Sequence, residues 1–408
     1  MGFGSEYLVM NETKRAALLL NMVSGVGPRI FCRLIDTFGT AERVFGSTAA
    51  DLQSVPGVGT NLAKAILSAP QQIEVEQELE DCARNEIRLL MFGDEDYPVE
   101  LAQIHDPPMV LYCKGSLLPQ DRLAIAMVGS RHVTDYGVKV AKQFGRGLAQ
   151  AGFCVVSGLA RGADAESHRA ALSAGGRTIA VLGSGLLNLY PPEHAELARE
   201  IAKQGAVLSE VPLHRPPHAG AFPQRNRIVS GLSLGVLVIE ASSRSGALIT
   251  ARHAMEQNRE VFAIPGRIDN RGSHGCHDLI RDGATLVQDV EDILDALGPL
   301  TEPLVMAQAN LSPTDATSGD ADRGIDADSA VTPPTEGRLA LNSGSSVVEI
   351  RQPAEMLLNE QETMVLQAIG VEPTYIDQIV VATMLPINRV LATVSVLQAR
   401  RLIRRVGG

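Results

Sequence analysis

The chain has 408 residues, a length that predicts two or three folded domains rather than one. Its formal net charge of -11 excludes a protein that is basic over its whole surface, although a local basic patch could still bind a nucleic acid. Aromatic residues make up only 4% of the chain and Trp is absent, which favours aliphatic cores of buried parallel strands over an aromatic stacking platform.

The cysteines and the hydropathy pattern indicate a compartment. The five cysteines are scattered and form no CxxC pair, so we expect reduced, mostly buried thiols in a reducing compartment. The sequence does not begin with a basic region followed by an apolar run, and it contains no stretch of 18 apolar residues. We therefore expect a cytoplasmic protein without a membrane segment.

Residues 1–75 are predicted to form a small helical domain of the helix-hairpin-helix, or SAM-like, type. Two similar turns, Val23–Gly27 and Val55–Gly59, each follow a leucine-bearing helical segment and open another. Both turns could bind phosphate through backbone N–H groups, or they could serve only to pack the small domain against the rest of the chain. The sequence leaves both possibilities open.

Residues 86–297 alternate aliphatic strands with helical segments, which is the pattern of a doubly wound, Rossmann-like α/β domain with a mostly parallel sheet. The segments between strands have about ten residues or more, enough for the crossovers that parallel strands require. The predicted strands lie at 123–128, 153–157, 178–182, 206–209, 235–240 and 260–264.

The C-terminal part divides into two segments. Residues 298–352 are rich in Pro, Ser, Thr, Gly and Asp and have no hydrophobic period, so we predict a flexible acidic linker. Residues 353–408 return to helical periodicity and end in a short strand at 402–406, which predicts a winged-helix domain. The four arginines between 400 and 405 fit either a nucleic-acid patch or a solvated helix end.

Glycine-rich loops follow the predicted strands of the central domain. The carboxyl ends of parallel strands meet at one edge of a sheet, where ligands of such folds bind. Glycine lets backbone N–H groups approach an anion, a helix N-terminus adds a favourable dipole, and Arg supplies a charged fork for phosphate. Several such loops on one edge, three of them carrying Arg, predict a row of phosphates. The competing interpretation is that these glycines serve only tight turns.

The candidate phosphate-binding residues come from these loops and from the start of a predicted helix at 222–227. Arg225 and Arg227 are too close in sequence to share a helix face, but at a helix start both side chains could turn towards one anion site. The candidates are Gly129, Ser130, Arg131, Gly158, Arg161, Gly162, Gly183, Gly185, Arg225, Asn226, Arg227, Ser245 and Gly246.

Other kinds of chemistry find little support. Gly231–Gly235 matches the hydrolase pattern G-x-S-x-G, but here a helix precedes the turn and a strand follows it, the reverse of a nucleophile elbow. Gly183–Gly185 lacks the third glycine of a dinucleotide fingerprint, and no P-loop pattern occurs, so no cofactor is expected. His274, Cys276 and His277 lack a second ligand pair, so no metal site is expected.

A series of motifs closely resembles that of the DNA processing protein A (DprA/Smf) family. The series comprises Gly129–Arg131, Ser157–Asp164, Tyr190–Glu193, Ser209-Glu210, Phe222–Arg227, Glu240-Ala241, Ser245–Thr250, Pro265-Gly266 and Leu279–Ala284. It departs from the family pattern at Leu187, where an Asp is usual, and at His277, where an Asn is usual.

The resemblance implies a Rossmann-like domain that binds single-stranded DNA without sequence preference and protects it. It also implies a homodimer, joined through the later part of the α/β domain, that delivers the strand to the RecA recombinase during natural transformation. A single sheet edge is short for a strand that a filament must receive, and two-fold pairing is the commonest way to double a site.

The alternative is an enzyme, a Rossmann-like nucleotide hydrolase similar to the phosphoribohydrolases, which also use glycine loops at a sheet edge. That family carries the signature Pro-Gly-Gly-x-Gly-Thr, whereas this chain has Pro265-Gly266-Arg267. Asp164 and Glu210 could act as an acid and a base, but a capping or structural role explains each of them better. We therefore expect no catalytic residue and no enzymatic activity.

Overall fold

The computed structural model describes residues 11–298 and several short stretches of the C-terminal part, namely 364–366, 368–369, 376–383, 385, 390 and 393. The predicted linker, apart from Gly298, and most of the predicted winged helix lie outside the described residues. The chain divides into two units, residues 1–317 and 318–408. In the second unit, Ile376–Thr383 is a helix, and Val365, Ile379 and Val390 are buried in one apolar cluster.

Six helices precede the sheet. They are α1 (Glu12–Met22), α2 (Pro28–Phe38), α3 (Ala41–Phe45), α4 (Ala49–Ser54), α5 (Thr60–Gln72) and α6 (Val75–Arg84). The two predicted hairpin turns join α1 to α2 and α4 to α5. Gly25 and Gly57 hold matching left-handed conformations in them, with φ of 96° and 94°, as only glycine does readily. The helix-hairpin-helix prediction is therefore confirmed.

Nine strands form one sheet in the order β1-β2-β6-β5-β4-β3-β7-β8-β9. They are β1 (Ile87–Met91), β2 (Val110–Gly115), β3 (Ala124–Val128), β4 (Cys154–Ser157), β5 (Thr178–Leu182), β6 (Ala206–Ser209), β7 (Gly235–Val238), β8 (Glu260–Ala263) and β9 (Thr285–Leu286). All neighbours from β6 to β9 pair in parallel, whereas β2 pairs antiparallel with both β6 and β1. The predicted mostly parallel sheet is present, with three strands, β1, β2 and β9, that the sequence analysis did not predict.

Helices cover both faces of this sheet. They are α7 (Val99–Ala102), α8 (Asp135–Gln150), α9 (Ala163–Ser173), α10 (Ala195–Gln204), α11 (Ala221–Gly231), α12 (Ala247–Glu256) and α13 (His274–Arg281). Successive residues of a strand face opposite sides, and β3 follows this rule. Ala126 and Val128 pack in a core with Ile228 of α11, while Ile125 packs in a second core with Phe144 of α8. The domain is therefore doubly wound, as predicted.

The remaining predictions about the chain concern thiols and membranes. All five cysteines are free, and Cys82, Cys113, Cys154 and Cys276 are buried, as expected. Within the described part of the chain, none of the helices has the length and apolar character needed to span a bilayer.

A glycine at the end of α10 allows a close contact inside the sheet. The backbone of Gly205 is extended, and a Cβ atom there would overlap the carbonyl oxygen of Thr178. We therefore expect Gly205→Ala to lower the free energy of unfolding by about 1–3 kcal/mol, the usual cost of overpacking. Gly59→Ala is the matched control, because a Cβ atom at Gly59 meets nothing within 4 Å. Thermal unfolding followed by circular dichroism tests this, and equal midpoints for the two variants would contradict it.

Candidate nucleic-acid interface

The loops at the carboxyl edge of the sheet surround a cleft of about 490 Å³. Its walls come from the loops after β3, β4 and β7 and from the first turns of α11 and α12. Most of the candidate residues line it, namely Gly129, Ser130, Arg131, Gly158, Arg225, Asn226, Ser245 and Gly246. Arg161 lines an adjoining recess together with Arg131, Arg225, Tyr190 and Phe222.

Two candidate glycines hold the first loops of the cleft together. Gly162 has a φ of 76°, and a Cβ atom there would overlap the carbonyl oxygen of Ser130. A Cβ atom at Gly129 would lie 2.7 Å from that of Ala163. The N–H of Ala163 donates to the Ser130 carbonyl at 3.2 Å, which joins the loop after β4 to the loop after β3. These two glycines therefore permit close packing, as the tight-turn interpretation expects.

A buried guanidinium forms part of the cleft wall. The side chain of Arg225 is buried, and its Nη1 donates to the carbonyl oxygens of Gly158, at 2.7 Å, and of Val181. A Cβ atom at Gly158 would lie 2.5 Å from the Arg225 guanidinium, so only glycine fits beside it. Burial lowers the pKa of Arg225 to about 10, although the nearby Asp164 carboxyl opposes this shift. Arg225 is still positively charged at neutral pH.

The Asp164 carboxyl binds two backbone N–H groups, one of which belongs to the candidate residue Gly158. Its Oδ2 accepts hydrogen bonds from the N–H groups of Gly158, at 3.2 Å, and Ala160, at 3.3 Å. Burial raises the pKa of Asp164, and the Arg225 charge opposes that rise. A bound anion therefore meets side chains at this loop rather than these two amides, which corrects the expected role of the Gly158 backbone.

Two arginines and two aromatic rings form a continuous row beside the cleft, which we call the arginine–aromatic row. The Arg131 guanidinium lies over the Phe222 ring at 5.2 Å, and the Arg161 guanidinium lies over the Tyr190 ring at 5.7 Å. The two ring centroids are 5.8 Å apart with an interplanar angle of 52°. Both arginines are exposed at the ends of the row, and the two rings between them are partly exposed.

The row revises an expectation drawn from the low aromatic content, which had spoken against an aromatic stacking platform. Few aromatic residues are present, yet the fold brings Phe222 and Tyr190 together, which were not among the candidate site residues. The available signal was their position inside the motifs Phe222–Arg227 and Tyr190–Glu193. Gly183, a candidate residue, lies behind the row, where a Cβ atom would be 3.1 Å from the Phe222 ring.

The first turn of α12 faces the cleft from the side of β7. A Cβ atom at Gly246 would meet nothing within 4 Å, so this glycine leaves open space in front of the helix N-terminus. The Ser245 hydroxyl accepts from the N–H of Ala247 at 3.3 Å. The Asn226 side-chain amide donates to the Gly246 carbonyl at 3.3 Å and thereby connects α11 to this turn. The positive end of a helix dipole and a hydroxyl are both suited to a phosphate.

Two candidate residues lie away from the cleft. Gly185 belongs to a structural turn, where its N–H donates to the Arg215 carbonyl at 2.9 Å and a Cβ atom would overlap the Leu213 carbonyl. Arg227 is buried on another side of α11, where it forms ion pairs with Glu210 and, at 3.6 Å, with Asp106. The expectation that Arg225 and Arg227 turn towards one anion site is therefore corrected. Side chains two positions apart project about 200° from each other around a helix.

Groups that an enzyme would need have structural partners here. The buried Glu240 carboxyl accepts from the N–H and the hydroxyl of Thr134, at 3.2 and 2.8 Å. The hydroxyl of Ser233, the central residue of the hydrolase-like pattern, is buried and donates to the Val229 carbonyl between α11 and β7. His277 Nε2 lies 2.9 Å from the Gly266 carbonyl oxygen. Among the residues that the structure describes, no three His, Cys, Asp or Glu side chains are grouped to hold a metal.

The fold and the cleft define a Rossmann-like α/β protein with an arginine-lined cleft at the carboxyl edge of its sheet and a helix-hairpin-helix domain before it. The family model of DNA recombination-mediator protein A matches residues 88–298. The DprA winged helix domain matches 349–408, and the SAM-like helix-hairpin-helix tandem matches 17–72. The chain belongs to the DprA/Smf family, as its motifs indicated, and the winged-helix prediction is confirmed.

Relatives from several bacteria support this assignment. Protein Smf of Synechocystis sp. is 35% identical over 405 residues, which cover 98% of each chain. The DNA processing protein DprA of Streptococcus pneumoniae is 45% identical over 49% of this chain and 71% of its own length. The crystal structure of DprA from Streptococcus pneumoniae matches with a TM-score of 0.61 and 35% identity, covering 70% of this chain and 98% of that one.

The burial of Arg227 generates a prediction about stability. We expect Arg227→Met to lower the free energy of unfolding at neutral pH by about 3–5 kcal/mol, because it leaves the mostly buried carboxylates of Glu210 and Asp106 without their counter-charge. Burial already raises the pKa of Glu210 above its ordinary value of 4.5, and Arg227 opposes this rise. A carboxyl whose pKa is raised on folding contributes stability at low pH and loses that contribution as the pH increases.

The loss caused by Arg227→Met is therefore expected to be smaller near pH 5 than near pH 7.5. Urea unfolding at the two pH values measures it. Arg199→Met is the control, because Arg199 is exposed and paired with Glu196 only three residues away, so its loss should stay below about 0.5 kcal/mol at both pH values. A loss in Arg227→Met that does not change with pH would contradict this account of Glu210.

Proposed function

We propose that this protein binds single-stranded DNA without sequence preference along the arginine–aromatic row and in the cleft beside it. The observation that carries the proposal is the row itself, with guanidinium groups at both ends and two ring faces between them. Guanidinium groups bind backbone phosphates, and a ring can stack on any base, so neither contact depends on sequence. The bases of a duplex are already stacked on each other and cannot stack on these rings, so the row should bind a single strand more tightly than a duplex.

The surroundings of the row support a phosphate backbone as the ligand. Arg225 supplies a further positive charge in the cleft wall, with the Asp164 carboxyl as the nearby opposite charge. The hydroxyls of Ser130 and Ser245 and the N-terminus of α12 also line the cleft and offer hydrogen-bond donors. The seven parallel strands, about 4.8 Å apart, span about 29 Å, enough for a handful of nucleotides.

Binding measured by fluorescence anisotropy tests the proposal. We expect tighter binding of single-stranded than of duplex oligonucleotides, similar affinities for different base compositions, and affinity that falls steeply between about 50 and 200 mM salt, because bound phosphates release counterions. Arg131→Ala should weaken binding by about 1.5–3 kcal/mol, the value of charged hydrogen bonds. Phe222→Ala should weaken it by about 1–3 kcal/mol for each base that the ring stacks.

Arg199→Ala serves as the control for the loss of one positive charge, since Arg199 lies on α10 and does not line the cleft. Circular dichroism of each variant separates a loss of contact from a loss of fold. Affinity that is independent of salt, or binding by Arg131→Ala that equals that of the wild type with a native fold, would contradict the proposed site.

We further propose a homodimer that forms through the later part of the α/β domain, protects the bound strand and delivers it to the RecA recombinase in natural transformation. The family assignment supports this role, and the shortness of one sheet edge supports pairing of two sites. A protein without residues 318–408, the second unit, is expected to remain dimeric in light scattering and to keep its affinity for single strands. A monomer that binds as tightly as the full chain would contradict the dimer. Assembly of RecA on coated strands, with and without the protein, tests delivery.

Nucleotide hydrolysis is the alternative that the sequence left open. The carboxyls it could use have other partners. Asp164 accepts from two backbone amides, Glu210 pairs with Arg227, and Glu240 accepts from Thr134. We therefore propose a binding protein without turnover. Release of base or phosphate from mononucleotides at enzyme-like rates, abolished by Asp164→Asn, would favour the hydrolase instead.

A further inference from the structure

The two ends of the arginine–aromatic row differ in their partners. At one end, Arg131 lies over the Phe222 ring. At the other end, Arg161 lies over the Tyr190 ring and its Nε also donates to the carboxylate of Glu193. Arg161 Nη1 is 3.5 Å from the Tyr190 hydroxyl. Within the described part of the chain, Arg131 forms no ion pair with a carboxylate, whereas the Arg161 end of the row carries an internal ion pair.

The backbone around Glu193 holds this carboxylate in place. Glu193 lies in a short 3-10 turn, Pro192–His194, that leads into α10. Its neighbour His194 is buried, and the Nδ1 atom of that ring lies 2.8 Å from the Leu159 carbonyl oxygen in the loop that also carries Arg161. The turn of Glu193 and the loop of Arg161 are thus joined through a buried contact as well as through the ion pair.

We propose that Glu193 competes with DNA for Arg161 and thereby sets how strongly this end of the row binds a phosphate. A carboxylate and a phosphate use the same fork of guanidinium N–H groups, so a phosphate must displace Glu193 before it engages Arg161. This inference rests on the proposed function. It assigns to Glu193 a role in setting the affinity for DNA, although Glu193 itself makes no favourable contact with DNA.

The strength of the ion pair suits a competitor that DNA can displace. The Arg161 and Glu193 side chains are 48% and 47% exposed, and ion pairs at such positions are weak. The hydrogen bond from Arg161 holds the pKa of Glu193 below its ordinary value, so the carboxylate is charged at neutral pH. Removing it should therefore tighten binding by about two- to fivefold rather than by orders of magnitude.

The experiment compares four full-length proteins: the wild type, Glu193→Gln, Arg161→Ala and the double variant. Affinity for a single-stranded oligothymidylate is measured by anisotropy between about 50 and 200 mM salt. Glu193→Gln should bind more tightly, and its plot of log affinity against log salt should be steeper by about 0.7, the value for one additional phosphate on a single strand. In the Arg161→Ala background, Glu193→Gln should change neither the affinity nor the slope of the salt dependence.

Glu196→Gln is the matched control for the loss of one negative charge. Glu196 lies on α10 close in sequence to Glu193, is 68% exposed and pairs with Arg199 rather than with the row. It should leave the affinity within about 1.5-fold of the wild type, the scale of a distant screened charge.

Four results would overturn the inference. An equal gain in Glu196→Gln, or a gain that persists without Arg161, would assign the effect to general charge repulsion. If Glu193→Gln binds with unchanged affinity while Arg131→Ala binds the single strand more weakly than the wild type, the competition is excluded and the proposed function stands. Absence of strand binding by the wild type at every salt concentration would overturn the proposed function and this inference with it.

Discussion

A positive charge buried between α11 and the ends of β4 and β5 is the constraint on which the rest of the site depends. Arg225 reaches from α11 to carbonyl oxygens at the ends of β4 and β5, and Asp164 at the start of α9 provides the opposing charge. Removing one of two opposite buried charges leaves the other without its counter-charge, which is strongly destabilising. The constraint also requires glycine at position 158, because a side chain there would occupy the space of the Arg225 guanidinium.

The sequence could predict the parts of the fold that repeat a local pattern. Parallel strands buried on both faces read as aliphatic runs, and six of them were predicted to within two residues of their ends. The antiparallel strands β1 and β2 escaped prediction because an antiparallel pair needs no crossover helix, so residues 92–109 break the strand–helix alternation. Strand β9 has only two residues and carries no periodic signal.

The site was predictable at the level of loops and less so at the level of side chains. Because β3 and β4 are parallel, the loops that follow them, which contain Arg131 and Arg161, share the carboxyl edge of the sheet. Whether a glycine faces a ligand or another backbone depends on contacts distant in sequence, as Gly162 against Ser130 illustrates. The direction of Arg227 was set by Glu210, which a helix-start argument does not include.

Helix α11 links the cleft to the helical domain because it carries Arg225 on one side and Arg227 on another. Arg227 binds Glu210, and the backbone carbonyl of Glu210 accepts from the side chain of Asn21 in α1. A helix of eleven residues moves as one short rigid element, so a ligand that shifted Arg225 would also displace Arg227 relative to its ion-pair partner Glu210. The helix-hairpin-helix domain is thus connected to the cleft through α11, although none of its residues from 11 onward lines the cleft.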